Sequence, residues 1–111
     1  MSEVEALNKQ AAECELIVEQ RDIAIRLYNH PDFKKLIVDG FCLKDCARYA
    51  QESQDPALNA SQQADALNMA QAAGHLRRYL SVKIQLGNQA EREIESIRQV
   101  IDEVQSETGG E

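Results

Sequence analysis

The chain has 111 residues, a formal net charge of −7 and 43% hydrophobic residues, with three Tyr, two Phe and no Trp. A length of this order makes one domain with an appended helical arm, and a core built from Ala, Leu and Ile suits helix packing better than a sheet sandwich. Two prolines and five glycines leave little punctuation for an all-β fold, and no apolar run approaches the ~20 residues of a membrane span.

The first predicted element opens at Ser2, which with Glu5 forms a capping box. Its seam runs Val4, Leu7, Ala11, Cys14, Val18, Arg21, Ile25 and Tyr28, at alternating spacings of three and four with one charged exception. Leu16, Ile17, Ile23 and Leu27 widen the apolar face toward its C-terminal half. A narrow seam suits a coiled coil and a wide one a bundle core, so this helix is expected to begin as an arm and end inside a globular part. Asn29-His30-Pro31 stops it, because proline disfavours helical geometry in the residue before it.

Pro31 then starts a short second helix, capped by His30, with Asp32 in its first turn and Phe33, Leu36 and Ile37 on its buried face. Asp39-Gly40 is expected to end or kink it. A third segment, 41–51, carries Cys42, Cys46 and Tyr49 with Leu43, Ala47 and Ala50 on apolar faces. Residues 53–56 form a loop in which Asp55 caps a turn at Pro56.

Asn59 or Ser61 starts the last helix. Twelve positions repeat along it at three-four spacing: Ala66, Met69, Ala73, Leu76, Leu80, Lys83, Gly87, Ala90, Ile94, Ile97, Ile101 and Val104. Lys83 alone breaks the stripe. A heptad seam this long predicts a helix that meets another helix along its length. The seam keeps its register across Gly87, which predicts continuity there despite a cost of ~1 kcal/mol relative to Ala. A second stripe of Ala72, Tyr79, Val82 and Leu86 predicts burial on two sides for the first half, while the tail 106–111 should fray. The fold class expected is all-α: a small helical bundle whose N-terminal and long C-terminal helices form coiled-coil-like arms. The stretches are 1–28, 29–87 and 88–111.

Charge follows that division. Residues 1–20 hold five acids against Lys9, residues 88–111 hold seven acids against two arginines, and residues 21–87 hold nine bases against seven acids. Acid facing acid tilts the expected partner of the C-terminal seam toward a neighbouring copy or a basic protein. The expected partner or oligomer interface is Val4, Leu7 and Ala11 together with Ile94, Ile97, Ile101 and Val104.

Chemistry-bearing motifs are sparse. Cys42 and Cys46 stand one turn apart, but a structural zinc site uses paired short spacings such as C-x2-C, and no second pair follows. Buried, reduced filler is the reading for these thiols and for Cys14. Two histidines without a nucleophile motif leave no catalytic pair, so a non-enzymatic protein without metal or cofactor is expected. Lys34, Lys35, Lys44, Arg48, Arg77, Arg78 and Lys83 are the candidate phosphate contacts, and two short helices about Gly40 have the outline of a helix-turn-helix. Asp32, Asp39, Asp45 and Glu52 interleave with them, which counts against nucleic acid.

Asn29, the run from Pro31 to Ile37, Gly40-Phe41, Arg48, Asp55-Pro56, Ala64, Leu76 and Tyr79-Leu80 carry a resemblance. Over residues 27–105 the chain resembles a group of short helical proteins encoded by tailed bacteriophages. The resemblance rests on helix punctuation and packing residues, so it implies a shared fold more than a shared activity. It also implies a phage context, virion morphogenesis, and a location in the virion or the host cytoplasm. The expected function is a structural or assembly protein that self-associates through its helices or binds other phage proteins, with no membrane partner. The alternatives are a small DNA-packaging subunit and an acidic inhibitor of a basic host site.

Overall fold

The computed structural model describes residues 2–109. The protein is all-α: α1 spans Glu3–Asn29, a second helical run spans α2 (Pro31–Phe33), a π-helical stretch (Lys34–Asp45) and α3 (Cys46–Glu52), and α4 spans Ala60–Gly109. Among the described residues there is no strand. Helix ends sit where side chains can satisfy the unpaired backbone amides. The Glu5 amide donates to Ser2 Oγ at 3.1 Å, and the Asp32 amide donates to His30 Nδ1 at 3.1 Å. At the start of α4, Gln62 N donates to Asn59 Oδ1 at 2.8 Å while Asn59 N donates to Gln62 Oε1 at 3.0 Å, a reciprocal capping box. The Ala57 amide donates to Asp55 Oδ1 at 2.9 Å, as expected of the Pro56 turn.

Two expected boundaries move. No helix ends at Gly40: no described glycine has a positive φ, and hydrogen bonding switches to the wider i→i+5 pattern through residues 34–45. A Cβ on Gly40 would lie 3.2 Å from the Lys35 carbonyl oxygen, its i−5 neighbour. Leu36, which the sequence places on the buried face with Phe33 and Ile37, is 71% exposed. At the other end α4 continues to Gly109, further than the expected fraying at Ser106; Gly110 and Glu111 lie outside the described residues.

The sequence reading separates the two terminal segments, whereas the structure groups them. The chain forms two compact units, one from Met1–Ala24 with Val82–Glu111 and the other from Ile25–Ser81. The first is a terminal hairpin in which α1 and the second half of α4 run antiparallel. Gln10 Nε2 donates to Glu93 Oε1 at 2.7 Å and Lys83 Nζ donates to Gln20 Oε1 at 2.7 Å. Its core is Cys14, Ala90 and Ile94 with Val18 packed against them, extended by the buried Ala24 and Ile97.

The second is a central hairpin in which the run from α2 to α3 returns along α4. Cys42 Sγ lies 3.8 Å from Ala73 O and Cys46 Sγ 3.6 Å from Ala70 O, so small residues let the two backbones approach closely. Cys42, Ala66, Ala73 and Leu80 are its buried apolar residues. Tyr28 and Phe33 meet with ring centroids 6.1 Å apart. In a two-layer hairpin only the line facing the other helix is covered. That is why the second stripe of α4 is not buried: Tyr79 is 59% exposed, Leu86 is exposed, and so is Ala72. Leu16, Ile17, Ile23 and Leu27 likewise stay exposed, although the sequence puts them inside a globular part.

Candidate functional site

The C-terminal seam is closed within the chain. Ile94 and Ile97 are buried in the terminal hairpin, and Val4, Leu7, Ala11, Ile101 and Val104 are half-buried. The sequence leaves open whether these lines meet within one chain or between copies; here they meet within one chain, and the acidic faces do not oppose each other bare. Glu93 accepts from Gln10, Glu15 lies 3.9 Å from Arg98, and Glu91 pairs with Arg21. These three carboxylates each meet an amide or a cation across the hairpin.

Arg21 and Gly87 form a lock that sequence reasoning did not join. Arg21 is the charged exception of the α1 seam, and its side chain is 12% exposed. It runs across Gly87, where a Cβ would fall inside the Arg21 stem. Its head group then donates to Asn88 Oδ1 at 3.1 Å, to Glu91 and to Asp22 Oδ1 at 3.1 Å. The bond to Glu91 is the main cause of a raised Arg21 pKa, so the guanidinium stays charged. The signal was present as two separate irregularities, a cation in one seam and a glycine in the other. Lys83, the exception in the α4 seam, is answered by Gln20 in the same way.

The seven candidate phosphate contacts do not form one set. Lys83 belongs to the terminal hairpin and is engaged by Gln20. Arg48 lies over the Tyr49 ring at 4.4 Å and pairs with Glu52 at 2.9 Å. Lys44 is exposed in the last turn of the π-helical stretch. Lys34, Lys35, Arg77 and Arg78 are exposed, and the pairing of Cys42 with Ala73 and of Cys46 with Ala70 brings all four to the end of the central hairpin away from its 53–59 loop. None of the four makes an ion pair among the described residues. With Gly40 inside a helix, the helix-turn-helix outline is absent from the 31–52 run.

At the loop end of the same hairpin lies an open cleft of about 430 Å³. Tyr49, Leu58, Ala66 and Met69 supply its apolar lining, and Glu52, Asp55 and Asp65 its carboxylates. The loop is fixed by Gln63 Nε2 donating to Asp55 O at 2.7 Å and Ser53 Oγ donating to Ala50 O at 2.6 Å. Glu52 is held by Arg48 and Asp55 Oδ1 by the Ala57 amide, while the Asp65 carboxylate has no partner among the described residues. Apolar lining beside carboxylates is complementary to a side chain with an aliphatic stem and a cationic head.

The three thiols are free; Cys14 and Cys42 are buried and Cys46 is half-buried. Burial raises the pKa of both Cys14 and Cys42, with the Glu93 carboxylate adding to the rise at Cys14. Among the described residues no three His, Cys, Asp or Glu side chains gather as a metal-binding group, and no helix is long and apolar enough to cross a membrane. Comparison with known proteins gives no match to any family model, curated protein or solved structure.

Proposed function

We propose that this protein is a non-enzymatic assembly protein that acts by self-association through its helical faces, in a phage virion-morphogenesis setting. The observation that carries the reading is the apolar surface left uncovered in each hairpin. Leu16, Leu36 and Leu43 are each more than 60% exposed, and no large side chain among the described residues is fully buried. Scattered single apolar residues are ordinary on a surface, but runs of them on helices mark contact faces. Leu16, Ile17 and Ile23 give the terminal hairpin such a face, and Leu67 and Tyr79 stand exposed on α4 in the central hairpin.

The phage setting rests on the resemblance over residues 27–105, whose packing positions include Phe33, Leu76 and Leu80. Small helical chains used in many copies build closed or open assemblies from one repeated contact. The test is mass in solution by light scattering across a concentration series. A mass well above the 12.4 kDa chain at micromolar concentration, growing with concentration, is the expected outcome. A strictly monomeric protein at high micromolar concentration would end the proposal.

A further inference from the structure

We infer that the repeated contact is polar and head-to-tail: the basic end of one central hairpin seats in the acidic cleft at the loop end of a second copy's central hairpin. This rests on the self-association proposed above and adds a polar contact beside the apolar faces named there. The central hairpin is charged in opposite senses at its two ends. Residues 25–39 with 70–81 carry five bases and two acids, whereas residues 40–69 carry two bases and four acids. At the first end Lys34, Lys35, Arg77 and Arg78 are exposed and make no ion pair among the described residues. At the second, the open cleft of about 430 Å³ combines an apolar lining with Asp65, which has no partner among the described residues.

Complementary charge on two distinct patches of one chain makes a heterologous contact, which closes into a ring or grows into a filament. The same patches cannot satisfy each other inside one hairpin, because they sit at its opposite ends. A polyanion is the competing occupant of the basic end. It is disfavoured by the −7 net charge of the chain and leaves the cleft unexplained.

Two variants test the contact, each checked for parental helicity by circular dichroism. Asp65→Lys puts a cation into the cleft, and Arg77→Glu with Arg78→Glu cancels the charge of the basic end. Each alone should weaken self-association by about a hundredfold or more, since like charges are then brought together. Mixed in equal amounts, they should associate again, because the unaltered basic end of one variant meets the unaltered cleft of the other. High salt should dissociate the parent, since exposed charge pairs are screened within about 3 Å at 1 M.

If Asp65→Lys loses helicity, Asp65→Asn replaces it, with a smaller loss of association expected and the same mixing behaviour. Either variant associating like the parent, or a mixture that stays monomeric, overturns this contact while leaving self-association standing if the parent still oligomerises. A parent that never oligomerises removes both proposals. Loss of a duplex-DNA mobility shift in the arginine variant, with its self-association intact, would assign the basic end to nucleic acid and also overturn the contact.

Discussion

At the scale of single residues, three positions make separable claims. Gly87→Ala puts a Cβ into the Arg21 stem, so the terminal hairpin must shift and the melting temperature is expected to fall. In an Arg21→Gly background, which removes the Arg21 Cβ as well as the Cγ and Cδ that the added Cβ would meet, the same change should stabilise by ~1 kcal/mol through helix propensity. A double-mutant cycle followed by thermal melts reads that reversal of sign; equal effects in both backgrounds would refute the lock. Gly74 is the control. A Cβ there meets nothing within 4 Å, so Gly74→Ala is expected to stabilise by ~1 kcal/mol in the parent. The thiols give a further residue-level claim. A thiol reagent at neutral pH should modify Cys46 first, with Cys14 and Cys42 slow because both are buried and their pKa values are raised. A raised pKa means the folded state holds its proton more tightly than the unfolded chain. The stability these thiols contribute is therefore complete below the ordinary thiol range and declines as pH rises through it, which melts at stepped alkaline pH will register.

At the scale of elements, the terminal hairpin depends on a single covered line. Ile97 is 4% exposed, and truncating a buried Ile costs about 2–5 kcal/mol. Ile97→Ala is expected near the lower end, since two helices can settle together more easily than a closed core. Hydrogen exchange should show the loss as weaker protection of amides in residues 3–24 and 84–104; unchanged protection would mean the seam is not closed within the chain. Most of what punctuates these helices could be read from the sequence. Ser2, His30 and Asn59 cap helices because a short acceptor side chain must satisfy the first amides, and that requirement leaves a residue signature. Continuity across Gly87 was legible from unbroken register. The π-helical stretch was not, because three-four spacing presupposes i→i+4 winding and no residue type announces i→i+5. The stripes of Tyr79 and Leu86, or of Leu16 and Ile17, told a face but not whether anything lies on it. The cleft was invisible for a related reason: Tyr49 and Leu58 reach Ala66 and Met69 only once the loop has turned.

At the scale of the whole molecule, charge and apolar surface work at different ranges. The net charge of −7 keeps copies apart at a distance, so association has to be won at contact, by apolar faces and by the oppositely charged ends of the central hairpin. Binding that involves the folded form alone stabilises it by mass action. The association expected from light scattering should therefore appear in melts as a transition that moves to higher temperature with protein concentration, and an unmoved transition would contradict it. The i→i+5 winding of residues 34–45 has its own consequence for chain length. Each such turn holds one residue more than an α-turn, so a one-residue deletion there can be absorbed by tightening a turn. The same deletion within residues 84–96 would rotate everything beyond it by about 100° and carry Ile94 or Ile97 off the covered line. One hairpin is thus open to inheriting insertions and deletions inside a helix, whereas the other can vary only by substitution.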